Sequence, residues 1–406
     1  MLKAALATIA VVTGVVAAAE PGEEPRNEVL FLRTNDGITL LQTSPTRNVV
    51  RFPDAVSSTD WSAVVQTAPA GADTRVLAFE SASGRQLWSR EVNGRHEAKV
   101  ASPGAEMVAL GNPREESGYL VGRSHTTLMI LEQDVPEARA IQLEGNYEPE
   151  AFSTDGQSLF VVEYLPPMHP TRYRVRRLDL KTEQVVGVFT VDAELQEAME
   201  GTARVQAASP DGKRLYTLYT VDVIHGAPHA FVHVLDLDEL WAHCVDLPRS
   251  FGEAPEKAVG ISVAPDGKHL YAADTSTGTV AEIDTRSLAV TRTVPSPIEP
   301  ARGVAHAAVA SDGTLYVARG LRLNALDPST LSTKDTWEME STITGIQAAS
   351  QGTRVYIGLK DQIVILDPTT GDRLGMLDPG GDKRIDRLGT ATQPLDIVRE
   401  VIECAC

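Results

Sequence analysis

The octet Ser209-Pro210-Asp211-Gly212-Lys213-Arg214-Leu215-Tyr216, "SPDGKRLY", returns at residues 264–271 as "APDGKHLY". Related segments start at Ser102 ("SPGAEMVA"), Ser153 ("STDGQSLF"), Ala310 ("ASDGTLYV") and Ser350 ("SQGTRVYI"), so successive copies lie 51, 56, 55, 46 and 40 residues apart. Self-similarity at such a period marks a repeat architecture. In each copy a short apolar segment meets a tight turn and then an alternating strand such as Leu270-Tyr271-Ala272-Ala273. Asp-Gly suits the turn, because glycine enters positive φ without steric cost and Asp bonds its own backbone. The octet reads as a hairpin corner.

A second phrase follows downstream: "RLDLKTEQVV" (177–186), "VLDLDELWAH" (234–243), "EIDTRSLAVT" (282–291), "ALDPSTLSTK" (325–334) and "ILDPTTGDRL" (365–374). In each, an apolar strand ends at an Asp (Asp179, Asp236, Asp284, Asp327 or Asp367) and a new strand begins after a polar turn. Four antiparallel strands per period of about 45 residues describe a β-propeller blade. Units fall near 54–92, 95–143, 147–190, 201–247, 257–294, 301–338 and 342–377. Residues 29–52 hold three further strands, and Arg384-Ile385-Asp386-Arg387-Leu388-Gly389 resembles an inner strand. Pairing the two ends makes an eighth blade and closes the ring without an exposed sheet edge. The expected fold is all-β, a propeller of eight four-stranded antiparallel blades, with seven as the alternative.

The totals bound the function. A net charge of −18 over 406 residues, with no strongly basic run, argues against a nucleic-acid partner. Residues 1–19 combine Lys3, an apolar run from Ala4 and the Ala17-Ala18-Ala19 cleavage pattern, which reads as a secretory signal peptide. Residues 20–28 form an acidic linker, 29–390 the propeller and 391–406 a C-terminal tail. The expected location is secreted or cell envelope, with membrane attachment only through an uncleaved N-terminal anchor. Cys244, Cys404 and Cys406 are an odd count, leaving at least one thiol outside any intrachain pair.

The stretches "HLYAADTSTGTVAEIDTRSLAV" (269–290) and "VYIGLKDQIVILDPTTGDRLG" (355–375) resemble the YVTN-type propeller repeat. The likeness covers residues 100–377 well and 29–99 weakly, and the Thr-Asn ending of that repeat is absent. The segment "VLAFESASGRQLWSRE" (76–91) looks instead like a quinoprotein-type blade motif, with Gly84 at the turn and Trp88 packing between blades. The resemblance implies lactonase-like hydrolysis of cyclic esters through a metal or a His/Arg/Glu cluster in the channel. A further implied alternative is the propeller subunit of a quinone-dependent amine dehydrogenase, whose redox cofactor sits in a companion chain. No cofactor is expected in this chain.

Strand alternation puts the irregular length on one face. Its loops are 112–125, 163–172, 191–201, 220–229, 248–257 and 295–302, and insertions concentrated on one side of a repeat scaffold commonly mark its binding face. The 191–201 insertion is expected to be a short helix capped by Asp192, with Leu195 and Met199 one turn apart and Gly201 ending it. The candidate binding residues are Tyr164, His169, Arg172, His225, His229, Arg302 and His306. His169 is stiffened by Pro166, Pro167 and Pro170 and flanked by Tyr164 and Arg172; Arg302 and His306 lead into an inner strand, where they suit a carboxylate or small anion. In the hydrolase reading His169, Arg172, Arg302 and His306 form the polar cluster.

His229, Phe231 and His233 share one strand side, and with His225 they supply imidazoles, but i to i+4 on a strand is roughly 13 Å, too far for one ion. No metal site is expected there. No G-x-S-x-G, H-E-x-x-H or C-x-x-C motif occurs. The expected function is a non-catalytic binding or scaffold protein whose partner is an envelope or extracellular protein or a small-molecule ligand.

Overall fold

The computed structural model describes residues 29–391 apart from 35–36, 44–48, 114–121, 192–193, 196, 222–228, 255–257, 296, 299–303, 350–351 and 380–384, with the backbone alone at Thr34, Val49, His229 and 385–391. These residues form eight antiparallel sheets set side by side in a ring, the blades of a β-propeller. Numbered along the chain, blades 1 to 7 begin with the inner strands Ala55–Ser57, Glu97–Ala101, Asn146–Phe152, Thr202–Ala208, Val259–Val263, Ala305–Val309 and Gly345–Ala348. In blade 8 the inner strand is Ile385–Ala391, which pairs with Val29–Thr34, followed outward by Gly37–Gln42 and Val49–Pro53.

The corner between first and second strands explains the repeated octet. Ser209 Oγ donates to Asp211 Oδ1 at 2.6 Å and accepts from Arg214 N at 2.9 Å, while Asp211 Oδ1 also accepts from Lys213 N at 3.1 Å. Gly212 sits at φ 72°, the left-handed conformation that glycine adopts without strain. Ser153, Asp155, Gln157 and Ser158 reproduce the same bonds. Blade 1 contains a further copy that the sequence disguises. In Ser58-Thr59-Asp60-Trp61-Ser62-Ala63 the Ser58–Asp60 bond, the Ser62 N–Asp60 bond and the Ala63 N–Ser58 bond are all present, yet Trp61 occupies the glycine position at φ 60°. Packing against Phe31 at 5.1 Å, with Arg33 over the same indole, offsets the backbone cost there.

The recurring Asp works at the corner between third and fourth strands. Asp284 Oδ1 accepts from Arg286 N at 3.1 Å and Ser287 N at 2.7 Å, and Asp179, Asp236, Asp327 and Asp367 do the same for the residues two and three positions on. Four positions after each Asp the chain turns left-handed, at Glu183, Leu240, Leu288, Leu331 and Gly371. Several of these pairings are bulged beside the corner, which adds local twist.

Period-two alternation gives each blade two apolar faces, one for each neighbour. On blade 4, Leu218, Val232, Val234 and Val245 pack on blade 5, while Leu215, Tyr219, Phe231 and Leu235 pack on blade 3. Trp88 fills the seam between blades 1 and 2 and donates to Ala105 O at 3.0 Å, so the lone quinoprotein-like Trp is a packing residue.

One expected element is replaced. The described part of 191–201 is not helical: Leu195 bridges to Phe189, and Met199 exchanges two backbone bonds with Tyr173 (3.0 and 2.6 Å). Just before it, Phe189–Thr190 pairs in parallel with Trp241 and Ala242, giving blade 4 a fifth, outermost strand. Pairing to two flanking blades satisfies these backbone groups, which outweighs the local helical spacing of Leu195 and Met199.

Ring closure rests on one antiparallel pair between the two ends of the described chain. Removing residues 385–406 uncovers the edge of Val29–Thr34, so the truncated protein should melt at a markedly lower temperature and aggregate; circular-dichroism melting and size-exclusion chromatography check this, and an unchanged melting temperature would contradict closure through this strand.

Candidate functional site

The connections between second and third strands, and between blades, emerge on one face of the ring; both kinds of tight corner emerge on the other. On the long-loop face the loops of blades 2 and 3 are tied together. Arg123 N donates to Pro167 O at 3.1 Å, Asn146 Nδ2 donates to the same oxygen at 3.1 Å, and Arg123 Nε donates to Asn146 Oδ1 at 2.8 Å. The Arg123 guanidinium also pairs with Glu148 on the inner strand of blade 3. Within the second loop His169 N bonds Pro166 O at 3.2 Å and Thr171 N bonds Leu165 O at 2.9 Å. The platform presents Met168, half exposed, together with the exposed His169 and Arg172.

Tyr164 lies just inside this platform, half-buried against Tyr173, Tyr219 and Phe231. The remaining sequence candidates are elsewhere. His306 is half-buried on the inner strand of blade 6, opposite Ala318 and three blades round the ring from His169 and Arg172. His225 and Arg302 lie outside the described residues, and for His229 only the strand position, opposite Val221, is described. Among the described residues no group of three His, Cys, Asp or Glu side chains converges as a metal site.

The seam between blades 3 and 4 has a chemistry the sequence reading did not find. Seven of the eight seams are filled by one continuous apolar cluster each among the described residues. Here the cluster is split in two, with Ala151, Phe160, Leu215 and Leu235 on the short-turn side and Val162, Tyr173, Tyr219 and Phe231 on the long-loop side. A polar row divides them: Gln206, Thr217, His233 and Cys244 stand opposite one another across the four main strands of blade 4. At the channel end Gln206 Nε2 donates to Glu150 Oε1 at 2.7 Å and to Thr217 Oγ1 at 3.1 Å. At the outer end Cys244, whose thiol is free, meets Met199 with 3.5 Å between sulfurs.

Burial dominates the electrostatics of this row. It raises the Glu150 pKa, with the Gln206 bond working in the opposite direction. His233, 3% exposed, is pushed down to about 4, first by burial and then by His243, so its imidazole is neutral at physiological pH. Tyr173, Tyr219 and Phe231 stack in sequence at 5.1 and 5.2 Å, and His233 meets Tyr219 edge-on at 6.4 Å. Burial lifts the phenol pKa values of Tyr173 and Tyr219, so both stay protonated.

A second ionisable cluster is structural. Glu163 holds Arg174 at 2.6 Å and accepts from Tyr147 at 3.2 Å, in one row across blade 3 facing blade 2. Blade 5 carries a related trio one strand further out and facing blade 6: Glu282 stands between Tyr271 and Arg292 in register and pairs with the arginine. Each trio buries a charge beside its counter-ion. The polar row of blade 4 has no such counterpart among the described seams.

On the opposite, short-turn face, a cavity of about 530 Å³ opens between blades 2 and 3, lined by Ser102, Glu106, Glu132, Arg139, Asp155 and Lys181 among others. Its position departs from the long-loop face favoured by insertion length.

No family model matches this chain, and none of the curated proteins does. Among solved structures it is similar to dihydro-heme d1 dehydrogenase NirN in complex with DHE (12% identity, TM-score 0.47, 80% of this chain and 65% of that one). A putative 6-phosphogluconolactonase from Bacteroides uniformis is similar at 15% identity and TM-score 0.44, over 90% of this chain and 100% of that one. The Pseudomonas aeruginosa periplasmic gluconolactonase PpgL follows at 16% identity and TM-score 0.41, over 90% and 99%. This chain thus spans about two thirds of the NirN chain, and these distant likenesses carry nothing about its chemistry.

Two stability effects follow from the row. Glu150 binds its proton more tightly folded than unfolded, so it destabilises the fold as pH rises above the ordinary carboxylate range. Glu150→Gln, which keeps an acceptor for Gln206, should therefore melt higher than the parent at about pH 8 and equally at about pH 4. His233 has the opposite sign. Its folded value near 4 lies below the unfolded value near 6.5, so stability present above about pH 6.5 is lost as pH falls, by roughly 3 kcal/mol on reaching pH 4. Urea denaturation of His233→Gln against the parent should show that part of the acid limb flattened.

Proposed function

We propose that this chain is an exported, non-catalytic binding propeller of the YVTN-like kind that takes its partner on the long-loop face, at the joined loops of blades 2 and 3. The observation that carries this reading is the backbone bond from Arg123 to Pro167 O, which fuses two loops into one platform while Met168, His169 and Arg172 point outward. An apolar anchor beside a cationic side chain suits an envelope or extracellular protein segment that pairs an apolar residue with a carboxylate. The described chain starts at Val29 and ends at Ala391 on the short-turn face, opposite the platform. The expected results are that His169→Ala, Arg172→Ala and Met168→Asp leave the melting temperature within about 2 °C of the parent and reduce partner recovery from envelope or extracellular fractions about tenfold. A large drop in melting temperature in all three would show the loop to be packed structure instead.

A second reading, a lactonase-like hydrolase, draws support from Glu150: a carboxyl on an inner strand whose pKa is raised by burial is shifted in the direction a general acid needs. Hydrolysis of a sugar lactone by the parent, abolished in Glu150→Gln, would favour it over the binding reading. The packing role of Trp88 gives the amine-dehydrogenase alternative no support.

A further inference from the structure

The outer end of the polar row brings together three donors that neither reading uses. Cys244 Sγ lies 3.5 Å from Met199 Sδ, and His233 is the direct cross-strand partner of Cys244 on the same side of blade 4. Directly opposed residues on neighbouring strands hold their Cβ atoms about 4.5–5.5 Å apart, within the span of a single ion between an imidazole and a thiolate. Met199 is delivered from a different element, the insertion after blade 3. Two bonds to Tyr173 hold its backbone, and its side chain packs against the apolar clusters of the seam.

We infer that Cys244, Met199 and His233 form a binding site for a soft monovalent cation, Cu(I), with Ag(I) as its redox-silent analogue. A thiolate, a thioether and an imidazole are the donor set that selects Cu(I) over harder divalent ions. Binding forms a metal–sulfur bond as the Cys244 thiol releases its proton to solvent, with no change of oxidation state. The resulting thiolate–Cu(I) unit carries no net charge, which suits walls made of Tyr173, Tyr219 and Phe231. Cys244 is an exposed residue at the rim, which provides the entry route, while desolvation, aided by Asp246, pushes its thiol up to about 12. The site lies on the opposite edge of the blades from the channel and does not depend on the platform.

The test uses the full chain with Cys404→Ser and Cys406→Ser, so that only Cys244 remains as a thiol. Under anaerobic conditions Cu(I) is titrated in the presence of a chromophoric Cu(I) chelator. One equivalent should be withheld from the chelator, with affinity reduced on the order of 100-fold by Cys244→Ser and about 10-fold by Met199→Leu. Both variants alter a partly exposed edge, and unchanged apo melting curves confirm that they fold. X-ray absorption at the copper edge should show two sulfur scatterers and one nitrogen. No withheld equivalent, equal withholding in Cys244→Ser, or a spectrum without sulfur overturns the site.

Discussion

Everything in this protein depends on sheets burying both faces against their neighbours around a closed ring. A four-stranded sheet of this size cannot stand alone in water, and each blade is stable because alternate residues of every strand enter the seam on either side. The antiparallel pair between Val29–Thr34 and Ile385–Ala391 gives the first and last blades the neighbours they otherwise lack. Apolar side chains fill almost every described seam, so the one whose apolar cluster is split in two by polar groups stands out on energetic grounds.

That exception, between blades 3 and 4, costs stability in two ways. Burial raises the pKa of the Glu150 carboxyl and holds the His233 imidazole neutral. Hydrogen bonds from Gln206 compensate in part. Proteins tolerate such rows where a site needs them, and the Glu–Arg–Tyr rows of blades 3 and 5 show what this scaffold does when it only needs to bury a charge: it puts a counter-ion beside it. The blade 4 row lacks an arginine and ends in two sulfurs, a composition suited to chemistry rather than to charge burial.

The two faces of the ring divide the remaining possibilities. Tight corners are built from the same few bonds in blade after blade, and they leave little room for specialisation. Among the described residues of the long-loop face, Arg123 beside blade 2 and Asn146 of blade 3 both donate to Pro167 O, which ties these two segments together. The cavity on the corner face is lined by residues from the corners of blades 2 and 3.

Much was legible in the order of residues. The Ser-x-Asp-Gly corner, the strand-ending Asp and the alternation of apolar positions are local, so a linear reading finds them, counts the blades and pairs the chain's ends. Even so, Trp61 hid one corner, because tertiary packing on Phe31 permits a conformation that local rules assign to glycine. The helix expected at 191–201 gave way to strand pairing for the same reason, since partners from two blades satisfied its backbone. The candidate residues show the boundary most clearly. Tyr164, His169 and Arg172 are close in sequence and stayed together, whereas His306 proved to belong to a different sector of the ring. Strand pairing within blade 4 sets Gln206, His233 and Cys244 in one row, and Glu150 and Met199 reach that row only because blades 3 and 4 pack face to face. Period and turn chemistry are properties of neighbours along the chain and determined the architecture; which polar groups share a seam is a property of neighbours in space, and only the packing of the blades decided it.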